Sequence, residues 1–538
     1  MTATKEPEIR ESYSPGEQSS LPELLALAAS PDEPAALIRA LRSSWTSLVA
    51  TDGASVRALM DGLPAELWDS DPWLVGGYAA TWRSVGSTSR SAALPYFEAA
   101  FGHVTEATPV PIRVGLELHY AAALRSLGRI TEAHAAATRA GDLLAADSSM
   151  PLQWRIWFRA RVALQVGIAL YHLGDYDAAK TDLRTAAGLA ASLFVAERVE
   201  CFASLALLEY TLGEFDTASG YVEQARGAAG DSGLLHSPFG APALISQLLI
   251  TVERNLLDEA EELASDVARA SARSDWEPLG AYSRAAISII SELYVDGLDL
   301  LRQCLQSYRT WRSPGPIVTL SEGLRATILL RLGQTDTAWD ILGALSPTQR
   351  HANCPARFIA HLRYVTGDAS GTLAALRDCT ALGDAHSGRT LVDVHLLTAA
   401  ANYRLGNPAL ADLSFDQALI LAAHNGMRIP FRLVPGDDMR MMLERAAERQ
   451  QPDAVRALFT DVDVWGSAAP GDSAPQLSDR EREIVRALLS GSTVPEMADA
   501  LFISVNTVKS HLKSVYRKLA VSSRPAAVKR ARELGLHL

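Results

Sequence analysis

The stretch from position 505 to 518 carries the side chains whose types and spacing best suit a chemical role. Its polar groups are cations, amides and hydroxyls, and no Asp or Glu occurs between Asp499 and Glu533. Such groups donate hydrogen bonds to phosphate oxygens and to base edges. They are Asn506, Thr507, Lys509, Ser510, Lys513, Arg517 and Lys518. The pattern predicts a surface that binds a polyanion and makes or breaks no bond.

Apolar residues at helical spacing place these side chains on one face of a helix. The predicted core positions of that helix are Val508, Leu512, Val515 and Leu519, and Ser504 suits its N-cap. Two S/T-x-x-E capping boxes predict two helices before it, and Ser523 suits the cap of one after it. The capping boxes pair Ser478 with Glu481 and Thr493 with Glu496. Four short helices with a tight turn between the second and third predict a helix-turn-helix.

Charge separates this end from the rest of the chain. Positions 477–538 hold 11 Lys and Arg against 6 Asp and Glu, a balance of +5. The remainder is (50 − 11) − (62 − 6) = −17. A small basic end on a large acidic body predicts that only the end meets a polyanion. We therefore hypothesise that the acidic body masks the basic helix until a ligand or partner binds.

The C-terminal segment strongly resembles the LuxR-type helix-turn-helix. The family pattern is approximately L-[ST]-x-R-E-x-E-V-L, then E-I-A-x-x-L, then S-x-x-T-V-K-x-H-L-x-x-I-Y-x-K-L-x-V, then S-R-x-x-A. Departures are mild, with Ile484, Met497, Val515 and Ala520 as apolar or small replacements. The matching residues are Leu477, Ser478, Arg480, Glu481, Glu483, Glu496, Ala498, Leu501, Ser504, Thr507, Val508, Lys509, His511, Leu512, Tyr516, Lys518, Leu519, Val521, Ser523, Arg524 and Ala527.

This resemblance implies a role for individual side chains. Lys509, Ser510 and Lys513 would face base edges of double-stranded DNA, and Thr507, Arg517 and Arg524 would contact phosphates. The fourth helix commonly serves dimerisation in the family, so a homodimer on DNA is expected. Such dimers bind half-sites about 34 Å apart. RNA polymerase is a further candidate partner.

Several of these residues also have a purely structural interpretation. Thr507 can simply reinforce the start of the third helix, and Lys518 can be a solvated surface lysine. His511 is better explained by packing or hydrogen bonding than by base contact. Glu481 and Glu496 are interpreted as helix caps and not as catalytic acids. Lys509 and Lys513 remain the best candidates for DNA contact.

The rest of the chain is rich in Ala and Leu at helical spacing and repeats a unit of the form LG-x-x-x-x-A. The Gly can close one helix in the left-handed conformation, and the small Ala five residues later lets the next helix pack closely. Because one hairpin cannot bury its apolar face alone, the units must stack. Clear copies lie at Gly128, Gly174, Gly213 and Gly333, and weaker ones at Gly86, Asn255, Gly297, Gly367 and Gly406.

The repeats resemble tetratricopeptide (TPR) repeats, and residues 60–450 resemble the sensor domain of large MalT-like regulators. The predicted fold is all-α: an α-solenoid of TPR-like hairpins followed by a four-helix LuxR-type domain. We expect a disordered tail at 1–20, a sensor or assembly domain at 21–465, a flexible linker at 466–476 and the DNA-binding domain at 477–538. The effector would be a small molecule or a protein.

Other kinds of chemistry find no support in the sequence. There is no G-x-x-x-x-G-K-[ST], so the ATP switch of MalT-like regulators is unsupported, and there is no G-x-S-x-G or H-E-x-x-H. The 12 His and 4 Cys show no metal-ligand spacing, so we expect no catalytic, cofactor or metal site. Early tryptophans, Trp45 and Trp73 among them, suit core packing better than a ligand pocket.

These observations favour a bacterial transcription regulator that is not an enzyme. The mixed-charge N-terminus, the scattered cysteines and the lack of a long apolar run predict a cytoplasmic protein without a membrane span. The alternative is a TPR-like scaffold or adaptor whose helix-turn-helix contacts protein. The lysines of the third helix, without neighbouring acids, favour DNA.

Overall fold

The computed structural model describes residues 19–29, 34–83, 89–309, 311, 315–345, 353–382, 386–459, 479–501, 503–519, 521 and 523–533. Within these ranges the regular elements are helices and no strand occurs. The predicted all-α fold is confirmed. The expected disordered tail and the 466–476 linker fall on residues outside the described ranges.

Twelve α-helices cover the first half of the described chain. They are α1 Leu21–Ala28, α2 Pro34–Asp61, α3 Pro72–Ala80, α4 Ala93–Gly102, α5 Val110–Ser126, α6 Ile130–Ala146, α7 Leu152–Leu173, α8 Tyr176–Gly188, α9 Val195–Leu212, α10 Phe215–Ala229, α11 Ala241–Glu253 and α12 Leu257–Ser271. Most of them pair with the next helix along the chain, as in α5 with α6, α7 with α8 and α9 with α10.

The second half continues in the same way. Its helices are α13 Glu277–Ala286, α14 Ser288–Ser291, α15 Tyr294–Arg309, α16 Ile317–Arg331, α17 Thr335–Gly343, α18 Ala356–Val365, α19 Ala369–Leu382, α20 Gly388–Arg404, α21 Pro408–Asn425, α22 Gly436–Ala447 and α23 Asp453–Phe459. The last four are α24 Asp479–Leu489, α25 Val494–Ala500, α26 Val505–Lys518 and α27 Arg524–Glu533.

The repeated LG-x-x-x-x-A unit forms the predicted turn between paired helices. The glycine of each clear copy has a positive φ, and the next helix begins two residues later. The Ala five residues after it is buried in every clear copy, which lets the helices approach. Among the weaker copies, Asn255, Gly367 and Gly406 also have positive φ. The prediction of a turn at Gly297 is wrong, because Gly297 lies inside α15. The predicted copy at Gly86 lies outside the described residues.

Two large apolar clusters hold the helical body together. One contains buried residues from Leu24 to Phe158 and includes five of the early tryptophans. The other runs from Ala160 to Leu458. Trp45 and Trp73 are 1% and 3% exposed, so the interpretation of these side chains as core is confirmed.

Helices near the end of the body pack against residues from the middle of the chain. The side-chain amide of Asn425 donates to the carbonyl of Gly213 over 2.8 Å, and Arg389 forms an ion pair with Glu253. The backbone N–H of Arg428 donates to the carbonyl of Glu253. These contacts join residues that are 136 to 212 positions apart, whereas an open solenoid has contacts between neighbouring repeats alone.

Within the described ranges, no helix combines the length and the apolar character that crossing a membrane requires.

Candidate nucleic-acid interface

Helices α24 to α27 have an apolar core of their own. The predicted inward positions of α26, from Val508 to Leu519, are all buried in it. The remaining buried members are Ile484, Val485, Leu488, Met497, Ala498, Ala527 and Ala531. A separate core means that these helices fix one another without support from the large body.

Polar caps set where α25 and α26 begin. The backbone N–H of Glu496 donates to Oγ1 of Thr493, and the backbone N–H of Thr493 donates to the carboxylate of Glu496. These hydrogen bonds hold the pKa of Glu496 below its usual range. The backbone N–H of Thr507 donates to Oγ of Ser504 over 3.1 Å. The capping box at Thr493 and the N-cap at Ser504 are confirmed.

The face of α26 opposite the core carries the candidate DNA contacts. Lys509 and Lys513 are exposed and four positions apart, so they lie one turn apart on the same face. Neither ammonium group has an ion pair among the described residues. The Thr507 hydroxyl is exposed and hydrogen-bonded to that of Ser504 at 2.7 Å, so it serves the helix start.

Three other predicted contact residues have different surroundings. Ser510 and Arg517 lie within the α26 backbone, but their side chains are outside the described residues. Arg524 is half-buried and donates from Nη2 to the carbonyl of Ser492, which ties the start of α27 to the turn before α25. His511 is half-buried, in keeping with its interpretation as a packing residue.

A buried acid positions α26 against α24. Glu481 is 5% exposed and accepts hydrogen bonds from Ser514 Oγ and Lys518 Nζ, both at 2.7 Å. Lys518 is exposed at the surface and at the same time forms an ion pair with Glu481. Ser478, the predicted capping partner of Glu481, lies outside the described residues. Sequence reasoning missed this link because the partners are more than 30 positions apart.

A cleft separates α26 from α15 of the large body. Lys509 and Lys513 line one side of it, and Asp296 and Asp299 line the other. Because opposite charges face each other there, the basic surface meets the acidic body in this arrangement.

Two cysteines and one histidine of the body lie close together, and both residue types can bind metal ions. The sulfurs of Cys354 and Cys379 are 3.6 Å apart, and a ring nitrogen of His386 lies within 4.8 Å of both. The hydrogen bond with the Cys354 thiol, together with burial, raises the pKa of Cys379. Thiolates and imidazoles are ligands of zinc, but structural zinc sites use four of them. Their spacing in the chain gave no sign of this cluster, and we expected no metal site from the sequence.

The C-terminal helices match a known protein family. Residues 475–531 match the family described as "Bacterial regulatory proteins, luxR family". The "Spore germination protein GerE" of Bacillus subtilis is 43% identical over 56 residues, which are 10% of this chain and 76% of GerE.

Two other relatives match longer stretches of this chain. The "Probable transcriptional regulatory protein NarL" of Mycobacterium tuberculosis is 28% identical over 173 residues, 28% of this chain and 80% of NarL. The "Putative HTH-type transcriptional regulator y4qH" of Sinorhizobium fredii is 31% identical over 130 residues, 23% of this chain and 40% of that protein.

Proposed function

The chain belongs to the LuxR family of bacterial regulatory proteins, and from this premise we propose that it is a sequence-specific DNA-binding transcriptional regulator. It makes or breaks no bond and acts in the bacterial cytoplasm. Helix α26 enters the major groove, where Lys509, Ser510 and Lys513 face base edges. Thr507, Arg517 and Arg524 contact phosphates.

The observation that carries the proposal is the exposed basic face of α26. Lys509 and Lys513 project from a helix that the Glu481 ion pair and the apolar core hold in place. A cationic helix fixed on an independent core suits a groove lined by phosphates. The adaptor alternative has no comparable observation in its favour.

The assembly on DNA is a homodimer in this proposal. Helix α27 would contact a second copy, and the two copies of α26 would lie about 34 Å apart on two half-sites. The helical repeats sense a small molecule or a protein and alter the population of DNA-competent dimers. RNA polymerase is the further partner through which a bound dimer affects transcription.

We also propose that α15 masks α26 in the absence of effector. The support is the cleft in which Asp296 and Asp299 face Lys509 and Lys513. A DNA duplex needs the same lysines and is repelled by the two carboxylates. Release of α26 from α15 would then expose the DNA-binding face.

Selection of bound sequences from a random DNA pool tests this function. The full-length protein is used with and without cell extract, which supplies effectors. We expect enrichment of a two-fold symmetric site, with stronger enrichment in the presence of extract. Enrichment of no sequence under either condition contradicts the regulator and leaves the adaptor.

A further inference from the structure

A cavity of about 320 Å³ lies where the N-terminal and central parts of the body meet. It is lined by α2, α5, α7 and the start of α9. Val49 and Leu118 come from the N-terminal apolar cluster, whereas Leu234 and Phe239 come from the central one. The volume and the largely apolar lining are those of a small-molecule site.

Two buried polar side chains of α7 line the cavity, and each has a hydrogen-bonding atom without a partner in the described ranges. Arg161 is 4% exposed and Gln165 is 8% exposed. Among the residues that the structure describes, Nη1 of Arg161 and Oε1 of Gln165 have no hydrogen-bond partner. Burial of a polar atom without a partner is unfavourable, so a ligand that supplies one is favoured.

Neighbouring groups hold Arg161 in place. Its Nε donates to Oε1 of Glu197 over 2.6 Å, and its Nη2 lies 2.9 Å from Nε2 of His119. Burial, together with the charges of Arg161 and Arg83, lowers the pKa of His119 well below its ordinary value. Neutral His119 therefore accepts a hydrogen bond from Arg161, which leaves Nη1 as the donor for a ligand.

A second arginine of the cavity forms no direct ion pair with the described residues. Arg83 lines it, and burial lowers the pKa of Arg83 to about 10. No carboxylate forms an ion pair with Arg83 in the described part of the chain, while the nearby acids have other partners. Glu200 and Asp275 both pair with Arg125, and Glu197 pairs with Arg161. One unpaired cation suits one negative charge on a ligand.

We propose that this cavity binds a small amphipathic carboxylate. The carboxylate accepts hydrogen bonds from Arg161 Nη1 and Arg83, and the apolar portion packs against Leu118 and Phe239. The ligand bridges the two apolar clusters of the body.

The position of Gln165 adds a second feature to the ligand. Because it follows Arg161 by four positions on α7, both side chains lie on one helix face, about 6 Å apart. A hydroxyl a few bonds from the carboxylate can therefore donate to Oε1 of Gln165. We expect a 3-hydroxy acid to bind more tightly than the corresponding unsubstituted acid.

Calorimetric titration of the full-length protein with 3-hydroxydecanoate tests the site. Its methyl ester is the uncharged control, and decanoate lacks the hydroxyl. We expect saturable binding of one equivalent, at least about tenfold weaker for the ester. Equal affinity of acid and ester, or no saturable binding of the acid, overturns the proposal.

Variants assign the binding to these residues. Arg83→Met should lower the affinity at least about tenfold and raise the thermal midpoint, because it removes a buried unpaired charge. Arg161→Met should also weaken binding, and Gln165→Leu should abolish the preference for the hydroxy acid. Arg139→Met changes an exposed arginine outside the cavity and should bind like the unmodified protein. Unchanged affinity in both Arg83→Met and Arg161→Met overturns the site.

Any effect of the ligand on DNA binding depends on the proposed function. The calorimetric experiment does not, because it contains no DNA. Failure to bind the acid therefore refutes the cavity site alone. Failure to bind any duplex, with the acid still bound, refutes the proposed function alone.

Discussion

Lys518 on α26 donates to Oε2 of Glu481 on α24 over 2.7 Å, and Glu481 is 5% exposed. The same carboxylate accepts from Ser514, one turn earlier on α26. A single buried charge thus fixes the rotation of α26 about its axis. Because that rotation decides which side chains face outward, the pair positions Lys509 and Lys513 without touching the DNA.

Loss of this charge should destabilise the helix-turn-helix. We expect Glu481→Gln to lower the free energy of unfolding by about 1.5–3 kcal/mol, the usual size of a hydrogen bond to a charged group. Thermal and denaturant unfolding of fragment 470–538, which has its own core, measures the effect. Glu483→Gln is the control, since Glu483 forms a more exposed pair with Arg480. Equal stability of the two variants would contradict the role of Glu481.

The two lysines of the outer face should matter for affinity. We expect Lys509→Ala or Lys513→Ala to cost about 1–3 kcal/mol at the selected site if each contacts a base. The loss should be smaller on unrelated DNA. Fluorescence anisotropy with both duplexes measures it. An equal loss on every sequence would reassign the residue to a phosphate contact, and no loss on either duplex would remove it from the interface.

If α15 masks α26, removal of its acidic side chains should raise the affinity of the full-length protein for DNA. Replacement of both Asp296 and Asp299 by Asn removes the carboxylates that face the lysines, so the full-length protein should bind its site more tightly. The matched control replaces Asp266 and Glu262, two acids on α12 that do not line the cleft. The same affinity in the cleft variant and the control variant would show that α15 does not compete with DNA.

Late helices pack closely against Gly213. We therefore expect alanine at Gly213 to destabilise the protein much more than alanine at Gly406. A Cβ at Gly213 would lie 2.5 Å from the backbone nitrogen of Arg389, whereas one at Gly406 meets nothing within 4 Å. Both have positive φ, which costs Ala about 1–2 kcal/mol. Gly213→Ala should therefore lower the thermal midpoint much further than Gly406→Ala. Similar midpoints would contradict the packing of α20 on this turn.

Acid should weaken the body through buried His361. Burial and the charge of Arg331 lower the pKa of His361 to about 3, against an ordinary value of 6.5. The unfolded chain takes up the proton first, so stability is complete above pH 6.5 and falls as the pH decreases from 6.5 towards 3. This group contributes about 1.4 kcal/mol per pH unit.

Denaturant unfolding at pH 7, 6 and 5 checks this dependence. His361→Gln should lose about 1.4 kcal/mol less than the unmodified protein between pH 6 and 5. His424→Gln, at an exposed position, is the matched control. Parallel pH profiles for all three proteins would show that His361 takes up no proton on unfolding.

Local patterns predicted much of this molecule. The apolar stripe of Val508 and Leu512, the cap at Thr493 and the turn at Gly213 each depend on neighbours within a few residues, and such signals are present in the sequence. Gly297 shows the limit: the repeat spacing suggested a turn, but tertiary packing places this glycine inside α15.

Relationships between distant residues could not be predicted. The pair of Glu481 and Lys518, the return of Asn425 to Gly213 and the cavity of Arg161 depend on how whole helices pack. Spacing within one sequence carries no signal for such contacts. The polar sites of the body could therefore be identified only from the structure, whereas the basic face of α26 could be predicted from the sequence.

Binding of fragment 470–538 to the selected duplex over a series of salt concentrations is the most direct measurement of whether α26 binds DNA. We expect the logarithm of the association constant to fall linearly and steeply with the logarithm of the salt concentration. The Lys509→Ala/Lys513→Ala variant should bind more weakly. No binding to any duplex, at low salt and with two copies covalently joined, would contradict the proposed function.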